Sequence, residues 1–394
     1  MSDVLKIDPA GRPDEHRFAR FELISWWDQK RLGSAKVLLI GVGALGNEIL
    51  KNLALLGVGN VLAADLDTVA DSNLSRSILF REGDRGRPKV LAAAERARDV
   101  YPGIKVIPFH GNVVYDLGLG VYRWADVIMG GLDNREARVA INRAAARVGK
   151  PWIDGAIERL DGVARVFDPA VGPCYECTMG VNDWKMLEAR RSCALLSRAE
   201  MESGKVPTTP TTGSVIAGIQ TQEAVKMLHG LPTLSGQGFV FDGTHHQSYL
   251  VEYTRKDDCP GHDAYAPVEV LDWKTAETPV GRFLERVRAD LGPGAVIEAN
   301  QDLLAALKCE ACGTTEKTPA SLGKVTEARG RCPRCRAHRT PVMFHTIDGR
   351  EDFLDRSLAE IGIPAWDILG ARVGMKQRFY EFAGDRAAVL GGTA

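Results

Sequence analysis

Residues 35–46 read AKVLLIGVGALG, and the fold turns on how that stretch is parsed. An apolar run of strand length ends at Ile40, and glycines follow at positions 41, 43 and 46. Gly41 and Gly43 let the backbone turn tightly and approach a phosphate, while Gly46 lets the next helix lie close to the strand. That helix, expected over 44–56, points unpaired N–H groups at an anion. Working outward, NVLAADLD (60–67), IKVIPF (104–109), ADVIMGGLD (125–133) and KPWIDGAI (150–157) read as further strands, with a helix over 135–148. Alternation of this kind predicts an α/β fold, a doubly wound, Rossmann-like parallel sheet. Residues 178–212 lose the pattern and read as a long loop. SVIAGIQTQEAVKML (214–228) has helical spacing, with Gly213 and Ser214 as cap residues. GQGFVFDG (236–243) and QSYLVEYT (247–254) read as strands.

This divides the chain into an N-terminal arm (1–34), a nucleotide-binding domain (35–265) and a C-terminal α+β module (266–394). In the module, TPVGRFLERVRADLG and DFLDRSLAEIG read as helices, and IPAWDILGARVG and QRFYEFAG as strands. The 50 basic and 51 acidic residues give a formal net charge of −1, which argues against a general binder of nucleic acid or anionic membrane. The charged N-terminus lacks the apolar stretch of a signal peptide, and no apolar run reaches about 18 residues, so a cytoplasmic protein is expected.

The glycine turn alone fits a dinucleotide-dependent oxidoreductase as well as a user of ATP. The neighbouring polar residues favour ATP. Asp65 ends the second strand where an acidic side chain meets ribose hydroxyls. Asn73, Arg76 and Lys89 together suit a triphosphate, the arginine gripping it bidentately and the lysine acting as a point charge. Asp133, at a strand end, suits Mg2+. Each of these charges taken singly is ordinary surface polarity; as an ordered set beside a glycine turn they are not.

Six of the eight cysteines form three C-x-x-C pairs. Without an export signal such pairs favour Zn2+ over disulfides. Cys309, Cys312, Cys332 and Cys335 have the C-x2-C-x19-C-x2-C spacing of a zinc ribbon over 309–335, with four thiolates and no open coordination position. Cys174 and Cys177 supply half of a tetrahedral site.

The turn GVGALG, the two aspartates of DLD, SNLSR, RPK and LDN together resemble the adenylation domain of ubiquitin-activating-type enzymes, a family that includes the adenylyltransferases of thiamine and molybdopterin synthesis. The resemblance covers roughly residues 15–262. It implies ATP binding by Gly41, Gly43, Asp65, Asn73, Arg76, Lys89 and Asp133, with Ala44, Gly46, Asp67, Ser72 and Asn134 in the same pocket. It implies a homodimer in which an N-terminal arginine, Arg20 in first place and Arg17 in second, reaches the partner's ATP. It also implies that the Cys174–Cys177 zinc site closes with a second pair after the last strand. Here that position reads CPGH, so Cys259 and His262 complete a Cys3His set, the alternatives being a site that uses only three of these ligands or one that takes His245 or His246. In the ubiquitin-activating family the loop at 178–212 carries the cysteine that takes the substrate as a thioester. Cys193 fits, and Arg190 and Arg191 before it favour the thiolate.

The expectation is therefore an adenylation domain followed by a zinc-ribbon module. It would activate the C-terminal glycine of a ubiquitin-like protein with ATP and pass it through Cys193 to a conjugating enzyme. The compact single-chain layout resembles bacterial activating enzymes, some of which serve conjugation operons linked to phage defence. A sulfur-carrier adenylyltransferase, a non-catalytic scaffold and, more distantly, a hydride-transferring enzyme are the alternatives.

Overall fold

The computed structural model describes residues 16–192 and 207–392. Its larger sheet has eight strands: β1 (Lys36–Ile40), β2 (Asn60–Asp65), β3 (Lys105–His110), β4 (Val127–Gly130), β5 (Trp152–Glu158), β6 (Asp161–Phe167), β7 (Gln237–Asp242) and β8 (Gln247–Glu252). They lie in the order β3-β2-β1-β4-β5-β6-β7-β8. The first five run parallel, with Val37 opposite both Val61 and Val127, and β6, β7 and β8 add antiparallel strands at one edge. The chain winds outward in both directions from β1, so the β1–β4 boundary is the switch point where such sheets bind ligands.

Alternation along β1 divides the core. Val37 and Leu39 pack with α2 (Ala44–Leu55), α4 (Lys89–Val100) and α8 (Pro210–His229). Leu38 and Ile40 face α5 (Leu119–Trp124) and α6 (Arg135–Arg147). Between β2 and α4 lies a short α3 (Asp71–Leu74).

The segment expected as a loop over 178–212 contains α7 (Val181–Ser192), and α8 starts at Pro210, capped by Thr209 rather than Gly213 or Ser214. The Thr209 hydroxyl accepts from Thr212 N–H and proline holds the first helical position, where its missing N–H costs nothing. On α7, Leu187 is buried and Trp184 packs against the core, which holds the helix on the domain.

The second sheet is built from β9 (Val268–Leu271), β10 (Val296–Lys308), β11 (Thr315–Ser321), β12 (Thr340–Ile347), β13 (Ile368–Val373) and β14 (Lys376–Phe382), under α9 (Val280–Leu291). Val280, Phe283, Leu284 and Val287 are the buried stripe of α9. The helix expected in DFLDRSLAEIG is instead a run of turns. Phe353, Leu358 and Ile361 are buried, but the backbone pairs with the segment before α9: Leu358 N–H donates to Thr278 O at 2.9 Å and Ala359 N–H to Thr275 O at 3.1 Å. The sequence boundary near 263–267 falls in a connection, yet the two parts share one core. Trp366, Ile368, Phe379 and Leu390 pack with Leu38, Ile40, Leu119 and Tyr122. Polar contacts reinforce that seam: Gly120 N–H donates to Trp366 O, Leu119 N–H to Asp367 Oδ1 at 2.9 Å, and Arg123 pairs with Glu381. Burial pushes the Asp367 carboxyl up to about 6, while donors from Leu119, Ile368 and Asn300 hold it down. No described helix is long and apolar enough to cross a membrane.

Candidate functional site

The glycine turn leaves β1 at the switch point and is held from three sides. Gly41 has φ +85°, and a side chain there would stand 2.5 Å from Gly131 O, so only glycine fits between the ends of β1 and β4. A Cβ on Gly46 would collide with the Gly41 carbonyl. Gly43 caps α2 and faces open space, which leaves its side of the turn free for an anion. Ala44 is the first residue of α2.

Asn47, fully buried one turn into α2, staples this turn to the next loop. Its amide donates to Val42 O at 2.7 Å and Gly43 O at 3.1 Å, and its oxygen accepts from Leu79 N–H at 2.9 Å. Sequence reasoning overlooked Asn47, and only its place one helical turn after the glycines marks it.

Asp65 closes the far side. Its carboxylate accepts from Val42 N–H at 2.7 Å and Asp67 N–H at 2.8 Å; burial raises its pKa, and the Lys89 charge opposes that. Lys89, at the first position of α4 and nearly buried, bonds Asp67 Oδ2 at 2.9 Å. In the SNLSR stretch, Asn73 caps α3 by accepting from Ala70 N–H, and Arg76 donates to Ser72 O at 2.6 Å. Ser72 is exposed.

On the other side of the turn, Asn134 caps α6 by accepting from Ala137 N–H and donates weakly to Asp133 Oδ1 at 3.2 Å. Asp133 is exposed, a carboxylate free to take a hydrated cation. Two residues missed in the sequence hold this loop. Arg138 donates to Leu132 O at 2.7 Å and to the buried carboxylate of Asp154, which also takes Arg165. Gln220 of α8 donates to Gly130 O at 2.8 Å. Gly41, Asp65, Lys89 and the Asp133 loop thus gather at the carboxyl ends of adjacent strands β1, β2 and β4.

At the N-terminal arm, Arg17 is engaged within its own chain, over the Tyr101 ring and donating to Val100 O at 2.9 Å, whereas Arg20 is exposed. Cys193 lies outside the described residues.

The cysteine pairs meet as two clusters. Cys174, Cys177, Cys259 and His262 place their ligand atoms within 4.8 Å of one another, with Sγ–Sγ distances of 3.7 and 3.5 Å and Cys177 Sγ 3.2 Å from His262 Nε2. Those spacings suit a tetrahedron around Zn2+, whose bonds to sulfur are about 2.3 Å. His245 is instead paired with Asp242 at 2.9 Å. Gly261 is required beside this cluster, because a Cβ there would lie 2.7 Å from Glu176 Oε1 and 2.9 Å from Cys174 Sγ. The second cluster, Cys309, Cys312, Cys332 and Cys335, sits at the ends of β10, β11 and β12, with Sγ–Sγ distances of 3.4 and 3.6 Å. Each of its knuckles turns through a left-handed residue, Gly313 (φ +69°) and Arg336 (φ +64°). Both clusters could hold zinc.

The ThiF family model matches residues 16–261. The chain is 40% identical over 151 residues to the NEDD8-activating enzyme E1 catalytic subunit of Schizosaccharomyces pombe, covering 37% of this chain and 34% of that protein. It is 31% identical over 238 residues to the sulfur carrier protein adenylyltransferase of Thermus thermophilus, covering 59% of this chain and 83% of that protein. Thus the match spans about a third of the first relative and most of the second. Among solved structures, E. coli MccB with ATP superposes with a TM-score of 0.52 at 20% identity, over 63% of this chain and 74% of that one, a likeness of fold.

Proposed function

The chain belongs to the ThiF family, as an adenylyltransferase of the ThiF/MoeB type, and from that premise we propose that it activates the C-terminal glycine of a ubiquitin-like protein. The substrate carboxylate attacks the α-phosphorus of ATP, pyrophosphate leaves, and an acyl-adenylate forms. Charge building on the phosphates is met by Lys89, Arg76 and, in a homodimer, the partner's Arg20. Asp133 would hold Mg2+, which neutralises phosphate charge when bound. The Cys193 thiolate then attacks the acyl carbon, AMP leaves, and the thioester passes to a conjugating enzyme.

The observation that carries this reading is the convergence of the glycine turn, Asp65, the nearly buried Lys89 and the exposed Asp133 at the switch point. A hydride-transferring enzyme would have no use for that set of charges around a phosphate turn. Lys89→Ala and Asp133→Ala should each abolish exchange of pyrophosphate into ATP supported by a ubiquitin-like partner. Exchange at the wild-type rate in either variant would remove its assigned role.

A second reading, adenylation of a sulfur carrier, is favoured by the match over 83% of the Thermus thermophilus protein. Intact mass under non-reducing conditions separates the two. Conjugation gives a thiol-sensitive adduct on Cys193, and Cys193→Ala keeps pyrophosphate exchange while losing the adduct. Sulfur transfer gives a thiocarboxylate on the partner and no adduct.

A further inference from the structure

From Lys324 to Arg339 the sequence carries six Lys and Arg side chains against one acid, Glu327, in a chain of net charge −1. These cations divide by what they touch. Arg339 is 5% exposed; it donates to Glu316 at 2.6 Å and also to Arg329 O. Arg329 reaches the same Glu316 at 3.0 Å. Both arginines tie the ribbon together. Arg334 and Arg336 do not: both are exposed on the second knuckle, and neither has an acidic partner among the described residues. His338, two residues on, is exposed as well.

The backbone adds an independent sign. Arg336 stands in the left-handed conformation that the first knuckle gives to Gly313. An L side chain is strained there, whereas glycine is not. The turn itself would be better served by glycine, so the arginine is there for its side chain.

We propose that the second knuckle, through Arg334 and Arg336, docks an acidic segment of a partner protein. Each guanidinium matches a carboxylate bidentately, and its weak hydration keeps the cost of binding low. Nucleic acid fits less well. Residues 308–340 contain no Phe, Tyr or Trp on which a base could stack, and the chain as a whole carries no positive excess to follow a phosphate backbone. This proposal does not depend on the adenylation reading.

The test uses the full, zinc-loaded chain and a fluorescein-labelled polyglutamate peptide of about 20 residues, long enough to span both arginines. Wild type should bind it with an affinity that falls as salt rises. R334E/R336E should bind at least about tenfold more weakly, as expected for the loss and reversal of two charge contacts. R336G relaxes the backbone, so its binding should weaken with the fold intact. Both variants should keep their metal content and ATP affinity. Unchanged peptide binding in R334E/R336E would overturn the proposal. So would tighter binding of a DNA duplex of matched charge, or loss of the ribbon's metal in the variants, which would make the arginines part of the ribbon itself.

Discussion

Replacing Asn47 with alanine tests whether the glycine turn is held or merely folded. The substitution removes two donated bonds, to Val42 O and Gly43 O, and strands Leu79 N–H, whose residue is 3% exposed. Each lost bond is worth about 1 kcal/mol and an orphaned buried N–H costs about 1–3 kcal/mol. The turn and the loop ending at Leu79 therefore lose on the order of 3 kcal/mol of mutual support. That preference corresponds to more than 100:1 in favour of the ordered geometry, so ATP affinity measured by calorimetry should fall up to about 100-fold. Urea denaturation should report a loss of similar size. Asn47→Asp should be worse, since it keeps the acceptor for Leu79 but turns a carboxylate toward the two carbonyl oxygens. If Asn47→Ala loses stability yet binds ATP like wild type, Asn47 is a core residue and does not position the turn. If neither changes, the bonding described here is wrong.

Metal analysis should give two zinc ions per chain; Cys332→Ser and His262→Ala should each lose one, and a wild-type content near one would remove the Cys3His set. Arg336→Gly should raise stability by about 0.5–1 kcal/mol in urea titration, because glycine takes the left-handed turn without strain. Asp367, raised to about 6 by burial, favours the folded state when protonated, so its contribution is complete below pH ~4 and is lost as pH rises through 6. Wild type should therefore lose about 2 kcal/mol relative to Asp367→Asn between pH ~4 and ~7.5, and equal slopes would show that the carboxyl titrates normally.

The parallel sheet was legible because its signals are local. Apolar runs of strand length and glycines whose spacing is fixed by contact, such as Gly41 and Gly46, need no knowledge of distant residues. The supports of the site were not legible, because each depends on a partner far along the chain. Asn47 meets Leu79, Gln220 meets Gly130, and Arg138 meets Asp154. Cys259 and His262 could be joined to Cys174 and Cys177 only through the resemblance, since no local pattern spans the separation of 85 positions from Cys177 to His262. The two misread segments failed in opposite ways. DFLDRSLAEIG has the apolar spacing of a helix, but its backbone groups are satisfied by the turn before α9. Among the described side chains of residues 181–192, Leu187 and Trp184 anchor the helix, too few to stand out as a periodic pattern.

The seam between the two sheets bears on how the chain can vary. Leu119 N–H and Gly120 N–H find their acceptors on Asp367 and Trp366, and the apolar face of α5 is covered by the same stretch. A chain cut near residue 266 would present that face to water and leave two amides without their protein acceptors. The module is therefore not a cassette that can be gained or lost in a single genetic step. A relative that lacks it is free to carry larger side chains at the positions of Gly118 and Gly120, which here lie against Ala365 and Trp366. Reading that one helix should tell, from sequence alone, which members of the family carry such a module.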